Sequence, residues 1–413
     1  MPSEAQHRSN GELSQALPPV TPPSGKFIVQ LFLVPGLIVV GILAVLIPIV
    51  IWQSRPYRPE ALLEDLRSSN TDVRWRAAER LAQILPRDCK EPSPQYALNA
   101  KFGIDLAEEM RKAIQVEEEM LGRIGHKTKE EAPKEHKELE VQQDLIRFLG
   151  GSLGYFDVPV TGPYLSEVAS KPVQPGNQTQ IERKRLAIVA LANLGNNLQY
   201  YFRQPDDKKA QVLEQLEKLA DTSGAQGQWA KATLDFLKYQ DPLGVEKSLV
   251  ECAKSDDAYT RKLAALAMSF WNGPDTDVML EALVYDDGHG SDSDQQPMYQ
   301  REIGYQAVIA LARRGSKNFA AHPEWIATLG DMLDEERQLK LNTSVVHDKE
   351  VVDRNKASET TNTALKALAE LHRLRPDLDV TRLKPALEKL ANNESKTIKE
   401  EAEKLLGSLN KST

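Results

Sequence analysis

Along this chain the pattern of polar and apolar positions changes once, abruptly. From Leu31 to Trp52 twenty-two residues pass without a charge, and beyond them apolar residues recur at helical spacing among Lys, Arg, Asp and Glu. A bilayer core of roughly 30 Å takes about 20 apolar residues at about 1.5 Å of rise each, so the run predicts one transmembrane helix over residues 27–53. Pro35, Gly36, Gly41 and Pro48 predict kinks rather than breaks, because backbone in lipid must bond internally. Trp52 suits the water boundary. A cleaved signal peptide would have a shorter apolar stretch and a small-residue cleavage site, and Gln53, Ser54, Arg55 and Pro56 supply none.

After the run a short phrase repeats: a small residue, an apolar residue four on, and a third position three further. Positions i, i+4 and i+7 share one face of a helix, so each copy predicts an amphipathic helix with a small residue where backbones come close. The copies are Ala77, Leu81, Ile84; Ala187, Leu191, Leu194; Ala230, Leu234, Leu237; Ala264, Met268, Trp271; Ala307, Leu311, with Arg314 breaking the third place; Ala364, Leu368, Leu371; and Ala402, Leu406, Leu409. A weaker copy holds Val141, Leu145 and Phe148. From Ala187 onward the alanines are 43, 34, 43, 57 and 38 residues apart, an interval that fits a two-helix module of about 40 residues. Apolar partner helices precede most copies, as Val212, Leu216 and Leu219 do before Ala230.

In Asp72, Val73, Arg74, Ala77 and Leu81, preceded by the turn Ser68 to Thr71, the chain resembles the HEAT repeat family. Other copies keep less of the phrase, such as Arg183-Lys184 and Ile398-Lys399. The resemblance implies an all-α fold: a right-handed α-solenoid of about seven to eight helical hairpins over residues 59–410. It also implies a scaffold or adaptor that docks a protein partner along an extended surface. Some HEAT-like arrays are enzymes, and a lyase-like array is the alternative from another class. The His-Glu iron ligands of the HEAT-like deoxyhypusine hydroxylases are missing: none of His7, His126, His136, His289, His322, His347 and His372 precedes a Glu.

Charge and composition narrow the setting. Lys26 is the one cation in the fifteen residues before Phe27, whereas Arg55, Arg58 and Arg67 follow Trp52, so the bias of cations toward the cytoplasm predicts a single-pass plasma or inner-membrane protein with a cytoplasmic C-terminal domain. An extracytoplasmic protein-binding solenoid is the alternative orientation, with Asn177-Gln178-Thr179 and Asn393-Glu394-Ser395 then accessible. Two cysteines, Cys89 and Cys252, make no disulfide framework. Residues 1–26, with Pro18, Pro19, Pro22 and Pro23, predict a disordered Pro-rich tail. With 60 acidic against 52 basic residues and a net charge of −8, no concentrated basic face is expected, and no nucleic acid as partner.

Three insertions interrupt the period, near 124–137, 286–297 and 338–361; all are expected to be polar loops. The second gathers Asp286, Asp287, Asp292 and Asp294, weak metal candidates because hard cations want six or more oxygens. Its spacing fits no EF-hand, and a flexible acidic loop is the favoured reading. No Gly-rich phosphate loop, nucleophile elbow or paired C-x-x-C occurs. No catalytic residue and no cofactor is therefore expected. Cys252, among Leu249, Val250 and Ala253, is read as a packed thiol.

Overall fold

The computed structural model describes residues 37, 39–44, 58–174, 176–346 and 349–411. The expected tail, and residues 27–36, 38 and 45–53 of the expected span, lie outside them. Within that span residues 39–44 are helical and exposed; no helix of the described residues is long and apolar enough to cross a membrane. The chain divides after Arg58, and Pro59–Thr413 is described by itself.

This unit is helical apart from one small hairpin among the described residues. Its helices are α1 Pro59–Leu66, α2 Thr71–Asp88, α3 Ala100–Ile124, α4 Pro133–Leu153, α5 Gly162–Ser170, α6 Gln178–Arg203, α7 Asp206–Ala220 and α8 Ala225–Tyr239. They continue as α9 Val245–Cys252, α10 Ala258–Met268, α11 Pro274–Val284, α12 Gln296–Arg313, α13 Pro323–Leu333 and α14 Glu335–Leu341. The hairpin, β1 Thr343–Val346 and β2 Lys349–Val352, follows, and then α15 Arg354–Leu374, α16 Lys384–Leu390 and α17 Lys396–Lys411.

Local chemistry explains where these helices begin. Proline has no N–H to lose in a first turn and its φ is already helical; α1, α4, α5, α11, α12, α13 and α16 each carry one there, from Pro59 to Pro385. Side-chain oxygens cap others by accepting orphan N–H groups. Asn70 accepts from Asp72 at 2.9 Å, Asn177 from Gln180 at 3.1 Å, Asp257 from Thr260 at 2.9 Å and Asp353 from Lys356 at 2.9 Å, starting α2, α6, α10 and α15.

The helices pack as neighbours in pairs: α1/α2, α3/α4, α5/α6, α9/α10, α11/α12, α13/α15 and α16/α17. The second helices then touch one another in sequence, α2 to α4 to α6 to α10 to α12 to α15 to α17, and the buried side chains join into one continuous cluster. Each layer therefore covers apolar surface that a lone pair would leave in water. Ala77, Ala187, Ala264, Ala307, Ala364 and Ala402 are all buried in this row, as are Leu81, Leu191, Leu311 and Leu368; Leu406 is partly buried, with Leu405 and Leu409 beneath it. Close approach is literal at one crossing, where a Cβ on Gly154 would lie 2.8 Å from the Ala190 carbonyl oxygen.

One repeat phrase does not join the row. Ala230 is buried and Leu234 partly buried in α8, but α8 pairs with α7, and the two lie against α3, α5 and the 3-10 turn Pro159–Thr161, while α6 meets α10 directly. Trp229 anchors this side hairpin through its indole N–H to Glu167 at 2.8 Å and its ring 5.1 Å from that of Tyr164. Spacing along the chain reports that a helix has an apolar face, not which neighbour takes it.

The insertion at 338–361 also differs from the expected loop: it holds the end of α14, the β1/β2 hairpin in register Thr343 to Val352, and the start of α15. Paired β-branched residues favour an extended pair over a coil. Ion pairs stitch one edge of the row. Arg183 meets Glu117 at 2.6 Å, Arg185 holds Asp257 through two nitrogens at 2.7 and 3.0 Å, Lys262 meets Glu302 at 2.6 Å, and Lys356 closes on the same carboxylate.

Candidate functional site

Where the side hairpin stands off the row, α6, α8, α9, α11 and residues 270–273 line a cleft of about 910 Å³. Its floor is aromatic: Phe236, Phe270 and Trp271, with the Trp271 indole N–H held on the Leu191 carbonyl at 2.8 Å and the Phe236 ring 6.2 Å away. Phe202 at the end of α6 and Val278 on α11 stand at its edge, 49 % and 69 % exposed. Single exposed apolar residues occur elsewhere on the unit, such as Tyr285 and Leu374; here two of them stand beside one apolar groove, and contiguous apolar surface is what marks an interaction site.

The polar side of the cleft is made by a sharp turn. Gly244 takes φ 80, a left-handed conformation that glycine adopts without a Cβ clash. The chain then enters α9, and Glu246 falls in its first turn. The Oε2 atom of Glu246 is closed off from water and has no hydrogen-bond partner. Burial raises the pKa of this carboxyl, against a smaller lowering by its own backbone N–H. Gly273 leaves it room, since a Cβ there would sit 2.9 Å from the Glu246 Cβ. Lys247 and Lys254 line the rim, the latter paired with Glu251 at 2.8 Å.

Arg314, which breaks the apolar phrase of its helix, has a definite task at this edge. It donates to Thr276 Oγ1 at 2.7 Å and to the Met268 carbonyl at 3.4 Å, and pairs with Asp277 at 2.9 Å. It thereby ties the Gly273–Thr276 turn to α12. Among the described residues lining the cleft there is no Ser, Cys or His; its polar side chains include Glu246, Lys247, Glu251, Lys254, Asp275 and Thr276.

The acidic loop after α11 is organised by an arginine. Arg261 is 2 % exposed and grips both oxygens of Asp286 at 2.7 and 2.9 Å; it also donates to the carbonyls of Ser255, Asp256 and His289. Asp286, Asp287 and His289 bring ligand atoms within 4.8 Å of one another. The Arg261 guanidinium lies 3.2 Å from His289 Nδ1, and Asp287 bonds the same ring nitrogen at 2.6 Å. A metal ion would meet a fixed positive charge at that point. Asp292 spends its carbonyl on the N–H groups of Gln295 and Gln296, and Asp294 accepts from Ser293 at 3.3 Å; neither joins the cluster. Gly290 is required where the loop docks, at φ 76 with a Cβ position 1.5 Å from the Asp256 carbonyl oxygen.

Both cysteines are buried, and burial pushes each thiol up to about 11. Cys252 donates to the Ala169 carbonyl at 3.3 Å, as a packed thiol does. Phe202, Glu246 and Val278 belong to none of the repeat phrases or insertions of the sequence. A signal for Val278 existed: α11 carries Val278, Met279, Leu280, Ala282, Leu283 and Val284, too many apolar residues for one buried face. Glu246 had none.

No protein-family model and no curated protein matches this sequence. Two crystal structures described as engineered proteins are similar over 86 % of this chain and 98 % and 99 % of their own, at 14 % and 16 % identity and TM-scores of 0.30 and 0.22. Likeness at that level assigns neither a family nor a function.

Proposed function

We propose that this chain is a scaffold: a right-handed, HEAT-like α-solenoid, tethered to a membrane through residues 27–53, that docks a protein partner in the cleft between its side hairpin and its helix row. The observation that carries this reading is the aromatic cleft with Phe202 and Val278 exposed beside it. Its occupant is an amphipathic helix with a Lys or Arg. Apolar anchors at i, i+3 and i+4 fill such a groove, and the cation answers Asp275, an exposed carboxylate in the cleft lining. The row of stacked pairs supports the solenoid, and the uncharged stretch Leu31 to Trp52 supports the tether.

The test is photo-crosslinking of the full-length chain in its own membrane, with a benzophenone amino acid replacing Val278. A discrete protein adduct is expected, and Phe202→Asp should cut its yield about ten-fold, since burying a Phe side chain is worth about 1.5–3 kcal/mol. Equal adducts with and without Phe202→Asp, or none from either, would refute docking at this cleft.

A further inference from the structure

A second, smaller cavity of about 270 Å³ lies among α1, α2, α3 and α4. Its floor is apolar, formed by Leu66, Leu145 and Leu149, all buried. Its mouth is cationic, formed by Arg67, Arg74 and Lys112. One carboxylate faces these three, Glu109, and a single oxygen of it serves two of them: Arg67 Nε donates to Oε1 at 2.9 Å and Lys112 Nζ to the same atom at 3.0 Å. Arg74 is left over. Its Nε is buried without a hydrogen-bond partner, and its guanidinium makes no ion pair among the described residues.

We propose that this cavity binds a phosphate group carried on a short apolar stem. The two terminal nitrogens of a guanidinium take phosphate oxygens in a bidentate fork, while a buried Nε such as that of Arg74 leaves its charge uncompensated until an anion arrives. Arg67 and Lys112 supply the remaining charge, while the leucine floor takes the first carbons of the stem. Three cations against one carboxylate leave the pocket two positive charges in excess, which a phosphate neutralises. Glu109 holds Arg67 and Lys112 in place and competes with the ligand for both. The source is a lipid headgroup or a free phosphate ester. The lipid source rests on the tether proposed above, because a chain held at a membrane meets anionic headgroups, which basic pockets take. The phosphate chemistry does not rest on it.

The experiment is isothermal titration of the full-length chain in non-ionic detergent with dihexanoyl phosphatidic acid, dihexanoyl phosphatidylcholine, inorganic phosphate and glutarate. Phosphatidic acid is expected to bind; Arg74→Gln should weaken it about ten-fold or more, the worth of a charge-assisted hydrogen bond, with an unchanged melting temperature. Glu109→Gln should tighten binding, an effect that mere damage to the fold would not give. Inorganic phosphate binding as tightly as phosphatidic acid keeps the phosphate site and assigns the free ester as its source. No binding by either phosphate, glutarate binding equally well, or Arg74→Gln binding like the wild type would overturn the proposal. Carbonate extraction of membranes judges the tether separately: a chain released by carbonate that still binds phosphate through Arg74 refutes the tether and leaves the site intact.

Discussion

Asp157 offers a measurement in which burial and charge act through one atom group. It lies between α4 and the Pro159–Thr161 turn, fully buried, with neither carboxyl oxygen hydrogen-bonded. Its backbone N–H donates to the Ala97 carbonyl at 3.0 Å, and the same short segment is held by Asp88, which accepts from the N–H groups of Gln95, Tyr96 and Ala97. Burial first, and then the charge of Asp88, push the Asp157 carboxyl from 3.8 up to about 8. The native protein therefore keeps the proton through a range in which the unfolded chain has lost it. The contribution of Asp157 to stability is greatest below the unfolded value near 3.8 and declines as pH rises toward the folded value. Each unit in that window costs about 1.4 kcal/mol, so the decline between pH 5 and pH 7 is about 3 kcal/mol at most. Asp157→Asn preserves the shape and cannot ionise. Urea unfolding of the two proteins at both pH values, followed by circular dichroism in detergent, should show the wild type losing up to that amount relative to the variant. Wild type and Asp157→Asn shifting in parallel from pH 5 to pH 7 would refute the reasoning.

Other perturbations test other parts of the molecule. Arg261→Met should destabilise by about 3–5 kcal/mol by stranding the Asp286 carboxylate, and adding Asp286→Leu should recover much of the loss; thermal melts of the single and double variants check this. Calcium titration into the wild type should give no heat, because the guanidinium already occupies the acidic loop, and a sub-millimolar binding isotherm would contradict that. Ala187→Trp should overpack the α6 contacts and cost about 1–3 kcal/mol, visible as a lowered melting temperature. In sealed vesicles a maleimide should leave the buried Cys89 and Cys252 unreacted on either side, whereas a cysteine placed at the exposed Asp207 should react from the cytoplasmic side alone if the charge bias sets the orientation.

The cleft owes its existence to a departure from regularity. Had α7 and α8 entered the row between α6 and α10, this cleft, with Phe202 and Val278 exposed beside it, would not stand open. Setting that hairpin against α3 and α5 leaves the junction of α6, α9 and α11 uncovered. A repeating array thus acquires a local binding feature without new chemistry, through one module packed sideways.

The periodic alanines and leucines were enough to establish a predominantly helical fold, its paired helices and the recurring part of its core, because burial of a helix face is written at fixed intervals in one dimension. Asn70, Asn177, Asp257 and Asp353 likewise mark helix starts through bonds two or three residues long. Contacts between distant segments carry no such mark. That Arg261 clamps Asp286, that Arg74 lacks a partner beside Glu109, and that α8 packs against α3 and α5 outside the row follow only from how the layers stack. Spacing encodes which side of a helix avoids water; the competition among many nearly equivalent apolar faces, resolved by shape and charge in three dimensions, decides what that side meets.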